Sequence, residues 1–329
     1  MNDTVVSDEE AFWIDRVTFV NKTIAQYGMS FIWLLGNVGL VFTCIVFLQP
    51  MFRQSPCAMY FIASSLSQII TFNFGLITRM IHFGYHIELV NQYVWFCKVR
   101  FYVFYTFIAI PRYDLILASI DRYFASSRDA RRRRWSSSKA ALRLIICNII
   151  FWCSIYIQVL IFYRIENDQC VPESGVYATF YSIYLAIDSG IMPTLLMFTF
   201  GLLTIRNIHG SKRHIAPIDT PTSQTIRNNR ISKKDNQLYR MLASQILLFI
   251  CLNTLNPCYL LYQSFTIRST KSLLHKTVDL FVSNMSCVLI YLGFSLTFPT
   301  FLISSDMFRQ EFIQVFVKKR ILPRRRRNP

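Results

Sequence analysis

Seven apolar segments, each long enough to cross a membrane as a helix, divide this chain. A hydrocarbon core of about 30 Å requires about 20 consecutive apolar residues of helix. The segments run over residues 27–48, 57–83, 96–124, 140–163, 176–205, 238–264 and 277–303. The sequence therefore predicts an all-α membrane protein whose fold is a bundle of seven transmembrane helices.

The overall composition supports a membrane environment. Hydrophobic residues make up 53% of the 329 positions and charged residues only 16%, whereas soluble domains carry roughly 25% charged residues. A net charge of +17 could indicate nucleic-acid binding, but the basic residues fall between the apolar segments. That distribution indicates an anionic lipid leaflet or a cytoplasmic partner, and not nucleic acid.

The distribution of Lys and Arg predicts the orientation. Of the 35 basic residues, 25 fall in the first, third and fifth connections and the C-terminal tail. Because basic loops stay on the cytoplasmic side, we expect a multi-pass protein of the cell membrane with its N-terminus outside and its C-terminus inside. An odd number of spans is consistent with that arrangement.

The chain divides into three regions. Residues 1–26 are predicted to be an extracellular tail with glycosylation acceptors at Asn2 and Asn21; a third match at Asn284 lies within an apolar segment and is discounted. Residues 27–303 form the membrane domain, with a flexible basic loop over 206–237. Residues 304–329 are predicted to form a cytoplasmic amphipathic helix and a basic tail.

The third apolar segment carries the most specific motif. Cys97 stands near its start and the triplet Asp121-Arg122-Tyr123 near its end. The 25 residues from Cys97 to Arg122 span about 37 Å of helix, or one membrane thickness with a little tilt. With the seven spans, these residues resemble the rhodopsin-like (class A) family of G-protein-coupled receptors. The resemblance extends from the first span to the amphipathic segment after the seventh.

The resemblance implies a function for the triplet. It implies that Asp121 holds Arg122 while the bundle is closed, and that the freed Arg122 meets a heterotrimeric G protein once an extracellular ligand has opened the bundle. The alternative is that Asp121 and Arg122 are interfacial charges that end a transmembrane helix. The resemblance also implies a disulfide between Cys97 and Cys170 that pins the second outer loop, the alternative being two free thiols.

Further family landmarks are present, and others are absent. The matching packing and hinge positions are Asn37, Trp152, Pro193, Pro257 and Pro299. The departures are Thr254-Leu255-Asn256 before Pro257, Phe298 before Pro299, Leu302 in place of the expected Tyr, Gln68 in place of the sodium-binding Asp, and Gly201 in place of a Tyr. These departures indicate a divergent branch of the family.

Among the charged residues inside the apolar segments, Arg112, Asp114 and Asp188 are singled out as candidates for buried charges. Arg112 and Asp114 are two positions apart and face away from each other on a helix, so each needs its own partner. We expect Arg112 to reach Asp188, because an unpaired charge at that depth is costly. The alternative is that backbone carbonyls and Ser or Asn side chains satisfy Arg112.

The sequence gives two indications of the ligand class: the absence of one acidic residue and the aromatic content of the predicted pocket. Phe104 stands where amine receptors have an Asp, which argues against a monoamine. The predicted pocket would suit a peptide or an apolar small molecule; its candidates are Phe101, Phe104, Tyr105, Tyr181, Tyr184 and Asp188. The alternative is that several of these aromatic residues face lipid.

Two other classes of protein compete with a receptor. A transporter would use the buried charges Arg112, Asp114 and Asp188, although the sequence has no internal repeat. An enzyme is not predicted, because the five His residues lack metal-ligand spacing and no catalytic pattern occurs; no catalytic residue, metal or cofactor is expected.

The arginine runs at 131–134 and 324–327 are predicted to contact anionic inner-leaflet lipid, and the G protein is a second candidate partner for them.

Overall fold

The computed structural model describes residues 8–127, 129–166, 168–212, 223–266, 269 and 271–318. Among these residues, seven helices are long and apolar enough to cross a membrane. They are α1 Asp8–Phe47, α2 Pro56–Tyr85, α3 Val94–Ala125, α4 Ser138–Phe162, α5 Val176–Asn207, α6 Asp235–Thr266 and α7 Leu273–Ser295. The predicted all-α fold of seven helices is confirmed.

Helix α1 begins at Asp8, well before the predicted start near residue 27. It consists of an α-helix over Asp8–Thr23, a π-helical turn over Ile24–Gly28 and a second α-helix over Met29–Phe47. Three acidic residues occupy the first turn, where they complement the positive end of the helix dipole. The predicted extracellular tail is therefore a helical extension of the first span over most of its length.

A β-hairpin joins α4 to α5. Strand β1, Tyr163–Glu166, pairs antiparallel with β2, Gln169–Pro172, so that Ile165 lies opposite Cys170. We call the end of the bundle that carries this hairpin the hairpin end, and the other the opposite end. Because successive helices run antiparallel, the end of α2 at Tyr85 and the start of α3 both lie at the hairpin end.

The chain after α7 continues in two short helices at the opposite end. The seventh predicted span, 277–303, is divided by a break at Leu296 into α7 and α8, Thr297–Ser304. Helix α9, Asp306–Ile313, follows and begins at Ser305, whose hydroxyl accepts a hydrogen bond from the Phe308 N–H at 3.2 Å. Met307 and Phe308 are buried against the bundle, so the predicted amphipathic helix is present here.

Small residues allow close packing between helices, as is common in membrane bundles. A Cβ atom added to Gly36 on α1 would collide with the ring of Phe72 on α2. At the opposite end, five buried phenylalanines from α1, α2, α8, α9 and the first connection interlock; they are Phe47, Phe52, Phe61, Phe301 and Phe308. This cluster fixes the position of α9 beneath α1.

Candidate functional site

The end of α3 places Arg122 between two carboxylates. Its Nη2 atom lies 2.6 Å from Oδ2 of Asp121, and its Nη1 atom lies 2.9 Å from Oδ1 of Asp235 on α6. The other oxygen of Asp121 accepts a hydrogen bond from the Ser136 hydroxyl at 2.6 Å. Arg122 is only 4% exposed, so its charge is held inside the bundle and ties α3 to α6.

Tyr123, the third residue of the triplet, faces a different neighbour. Its ring packs on Phe200 of α5, with ring centroids 5.8 Å apart. Its carbonyl accepts a hydrogen bond from Nδ2 of Asn207 at 3.5 Å. The triplet thus connects the end of α3 to both α5 and α6.

A cavity of about 310 Å³ opens beside Arg122 at the opposite end of the bundle. Its lining consists of charged, small polar and small apolar residues: Ser55, Pro56, Arg122, Ala125, Arg133, Ser136 and Asp235. Both partners of the Arg122–Asp235 ion pair belong to this lining. A molecule entering the cavity would therefore meet the ion pair directly.

At the hairpin end, a disulfide joins Cys97 to Cys170, with Cα atoms 5.8 Å apart. The predicted pairing is confirmed. The Cys170 N–H also donates to Oδ1 of Asn91 at 3.0 Å, and the Tyr163 ring packs on Phe101 at 4.9 Å between centroids. The hairpin is consequently held against α3 by covalent, polar and aromatic contacts.

A cluster of polar side chains links the connection between α6 and α7 to both of these helices. Nζ of Lys271 lies 2.5 Å from Oδ2 of Asp279, and the Tyr262 hydroxyl donates to the other oxygen of Asp279 at 3.1 Å. Desolvation alone would lower the pKa of Lys271, but its hydrogen bonds to Asp279 and Tyr262 raise that pKa above the ordinary value. The charge of Lys271 is therefore already compensated.

In the middle of the bundle, Arg112 pairs with Asp188, as expected. Nη1 of Arg112 lies 3.2 Å from Oδ2 of Asp188, and both side chains are buried. The hydroxyls of Tyr113 and Tyr156 donate to the same carboxylate at 2.9 and 2.8 Å. A buried charge pair is tolerated when such additional hydrogen bonds satisfy it, and this one links α3, α4 and α5.

Asp114 has a separate partner, as its position two residues after Arg112 requires. Its Oδ1 atom accepts a hydrogen bond from Nδ2 of Asn148 on α4 at 3.0 Å. Its Oδ2 atom is buried without a hydrogen-bond partner among the described residues. Asp114 is therefore less well satisfied than Asp188.

The predicted pocket residues do not form one open wall. Tyr105 packs against Tyr156 and Tyr181 at centroid distances of 5.7 and 5.6 Å, and Tyr181 is fully buried. Phe104 lies on another face of α3, near Gly75 and Tyr291. Phe101, Tyr105, Tyr181 and Tyr184 thus belong to a packed core under the hairpin, whereas Phe104 faces α2 and α7.

The predicted packing positions lie at helix contacts. Oδ1 of Asn37 accepts from Nδ2 of Asn73 on α2 at 2.7 Å, and Trp152 packs on Tyr113 with centroids 4.4 Å apart. Pro257 on α6 lies directly against Gly190 on α5. Pro193 is the second residue of the regular helix that begins at Met192, just after a π-helical turn over Ile187–Ile191, and Pro299 lies in the first turn of α8.

Near the centre, Arg112 and Gln68 line a cavity of about 50 Å³. Other polar residues of its lining are Ser64, Ser65, Gln245, Asn253 and Thr297. A cavity of this size holds a few water molecules. Gln68 donates from Nε2 to the Ser64 hydroxyl at 2.9 Å.

The asparagines of two glycosylation-type motifs, Asn21 and Asn284, are in contact inside the bundle. Nδ2 of Asn284 on α7 donates to Oδ1 of Asn21 on α1 at 2.7 Å, and both side chains are buried. The prediction of Asn21 as a glycan acceptor does not fit this packing, because a glycan on that amide needs an exposed side chain. Asn2 and the 324–327 arginine run lie outside the described residues, as does part of the 206–237 loop.

Sequence reasoning overlooked three residues that contribute to the charged sites: Asp235, Arg79 and Arg100. Asp235 lies at the start of α6 and carried no motif. Arg79 and Arg100 lie within apolar segments, and the rule that singled out Arg112 applies equally to them: a charged residue inside a span is a candidate functional group.

No model of a known protein family matches this sequence, and no curated protein matches it.

Proposed function

We propose that this protein is a divergent rhodopsin-like receptor that binds an extracellular ligand at its hairpin end and activates a heterotrimeric G protein at its opposite end. One observation carries the proposal: Arg122 is held between Asp121 on its own helix and Asp235 on α6. This arrangement supplies a two-state element, because separation of α3 and α6 breaks one ion pair and exposes the guanidinium.

The proposed orientation rests on charge and on redox chemistry. The disulfide Cys97–Cys170 belongs in an oxidising compartment, which favours the hairpin end as the extracellular end. The exposed arginines Arg131–Arg134 and the exposed Trp135 lie at the opposite end. Arg and Trp at a membrane interface favour an anionic cytoplasmic leaflet and anchor the bundle there.

The transporter alternative would use Arg112, Asp114 and Asp188. The cavity beside Arg112 has a volume of about 50 Å³, far below the roughly 300 Å³ at which small-molecule sites begin. Asp188 is already occupied by Arg112 and two tyrosine hydroxyls. A closed ion pair beside a small cavity favours a structural junction over a transport site.

The test is a screen of peptides, then of apolar small molecules, on membranes that contain the chain and a heterotrimeric G protein. Guanine-nucleotide exchange is the readout. We expect Arg122→Ala to abolish the exchange response to an active compound while its binding persists. Arg53→Ala is the matched control, because Arg53 is an exposed arginine at the same end whose side chain has no hydrogen bond or ion pair among the described residues.

Two results would count against the proposal. One is an unchanged exchange response in Arg122→Ala. The other is a topology measurement in which tags on the two chain ends are accessible from the same side of the membrane, because seven spans place the ends on opposite sides.

A further inference from the structure

Two arginines are buried close together in the hairpin half of the bundle. Arg79 lies on α2 and is 9% exposed, and Arg100 lies on α3, one turn from the disulfide, and is 6% exposed. A guanidinium stays charged at any physiological pH. Two positive charges therefore lie between α2 and α3 at a depth where a charge needs compensation.

Neither arginine has an acidic partner in the described part of the chain. Nη1 of Arg79 donates to the amide oxygen of Asn284 at 2.9 Å, and Nε of Arg100 donates to the Thr78 hydroxyl at 3.1 Å. Both acceptors are neutral. By contrast, the buried Arg112 and Arg122 each have a carboxylate within 3.2 Å.

Two buried nitrogen atoms in the described part of this cluster are left without hydrogen bonds. Nε of Arg79 and Nδ1 of His82 are buried and have no hydrogen-bond partner among the described residues. His82 interacts electrostatically with both arginines and, to a smaller extent, with the carboxylate of Glu88, and the two arginines repel each other. Two guanidinium groups against the single carboxylate of Glu88, which pairs with neither of them, leave the cluster with an excess of positive charge.

An aromatic ring lies against each of the two guanidinium groups. The guanidinium of Arg79 lies over the Phe83 ring at 5.4 Å, and that of Arg100 lies over the Phe101 ring at 4.7 Å. Phe104 packs on Tyr291 with ring centroids 6.2 Å apart, and Tyr291 interacts electrostatically with both arginines. Cation–π contacts offset part of the cost of burial, but they provide no counter-charge.

We propose that Arg79 and Arg100 bind the carboxylate of an amphiphilic ligand, which supplies the counter-charge that the described residues lack. A planar guanidinium matches a carboxylate with two parallel hydrogen bonds. The surrounding rings would take the apolar body of the ligand. A strongly hydrated inorganic anion fits less well, because it would lose more hydration free energy on entering this apolar surrounding.

This inference rests on the proposed receptor function, since it places the ligand at the hairpin end. It also narrows the ligand: within the peptides and apolar small molecules expected from sequence, it selects those that carry a free carboxylate. Two sources share this chemistry, a fatty acid and the C-terminus of a peptide.

The test measures binding to the purified full-length chain by the ligand-dependent rise in its thermal unfolding midpoint, without any G protein. One arm compares octanoate with octanol. The other compares a short peptide ending in free phenylalanine with its C-terminal amide. We expect a saturable rise for the carboxylate member of at least one pair and none for its neutral analogue; the responding pair identifies the source.

The variants Arg79→Gln and Arg100→Gln should each weaken this binding by roughly tenfold to a hundredfold, because each loses a charge-assisted hydrogen bond. Arg164→Gln is the matched control: Arg164 lies at the same end, but it is 57% exposed and already paired with Glu173. Arg100→Lys should bind with intermediate affinity, because it retains the charge and loses the planar fork.

A separate readout distinguishes this site from a purely structural role. Without ligand, the Gln variants should unfold at the same or a higher temperature than the parent chain, because an uncompensated buried charge is removed. The inference is overturned if neither carboxylate binds, if the Gln variants bind as tightly as the parent, or if they unfold earlier and Arg164→Gln weakens binding equally. Because nucleotide exchange plays no part here, such a result leaves G-protein coupling to be judged by its own assay.

Discussion

Arg122 and Asp235 join the ends of α3 and α6 through a contact of 2.9 Å between Nη1 and Oδ1. The two residues differ in environment, since Arg122 is 4% exposed and the Asp235 side chain 49% exposed. Solvent screening limits a half-exposed ion pair to about 0.5–1 kcal/mol. The contact is therefore strong enough to favour a closed bundle and weak enough for a ligand to break.

The first prediction concerns this contact. Asp235→Asn should raise ligand-independent nucleotide exchange by roughly twofold to fivefold, the population shift that about 0.5–1 kcal/mol produces. Asp129→Asn is the control, because it removes a carboxylate from a pair with Arg132 in which both side chains are more than half exposed. Unchanged exchange in Asp235→Asn, or an equal rise in both variants, would contradict the role of the α3–α6 contact.

The second prediction contrasts two buried carboxylates. Asp188→Asn leaves Arg112 without its counter-ion and should destabilise the bundle by about 3–5 kcal/mol. Asp114→Asn should leave stability unchanged or raise it, because Asp114 has no cationic partner among the described residues and one unsatisfied oxygen. Thermal unfolding in detergent measures both, and equal destabilisation by the two variants would refute the assignment of the charge pair.

The third prediction concerns the disulfide. Its two cysteines are 73 residues apart. In the chain-entropy description, closing a loop of that length raises the free energy of the unfolded chain by about 4 kcal/mol. Cys97→Ser and Cys170→Ser should each lower the unfolding midpoint and make it insensitive to reductant. Cys147→Ser, at an exposed free cysteine, should leave both properties as they are in the parent chain.

The fourth prediction tests the contact between α5 and α6. A Cβ atom at Gly190 would overlap the ring of Pro257, whereas nothing lies within 4 Å of a Cβ atom at Gly201 on the same helix. Gly190→Ala should cost about 1–3 kcal/mol through overpacking. Gly201→Ala should stabilise α5 by about 0.5–1 kcal/mol. If Gly190→Ala unfolds no earlier than Gly201→Ala, the two helices do not meet as described.

Some contacts could be predicted because helix geometry is local. The rise per residue places Cys97 and Arg122 at opposite ends of α3 whatever the neighbouring helices do. The spacing of two between Arg112 and Asp114 requires separate partners, and the structure provides Asp188 and Asn148. The cost of an unpaired buried charge then made Asp188 the expected partner of Arg112.

Other contacts could not be predicted, because they depend on which helix faces meet. The amides of Asn21 and Asn284 are 263 positions apart and pair only because α1 lies beside α7. The rotation of α3 directs Phe104 toward Tyr291 and Tyr105 toward Tyr181, which divides the predicted aromatic wall. Leu296 interrupts the seventh predicted span at a point where the apolar pattern continues without change.

The sequence by itself determined that the chain is a membrane bundle of seven helices, because the length and apolarity of a span are properties of consecutive residues. Tertiary structure alone decided that Asp235 would hold Arg122 and that Arg79 and Arg100 would lie near each other with no carboxylate paired to either in the described part of the chain. The reason is that pairing depends on the rotation and depth of separate helices, and these are determined by packing over the whole bundle.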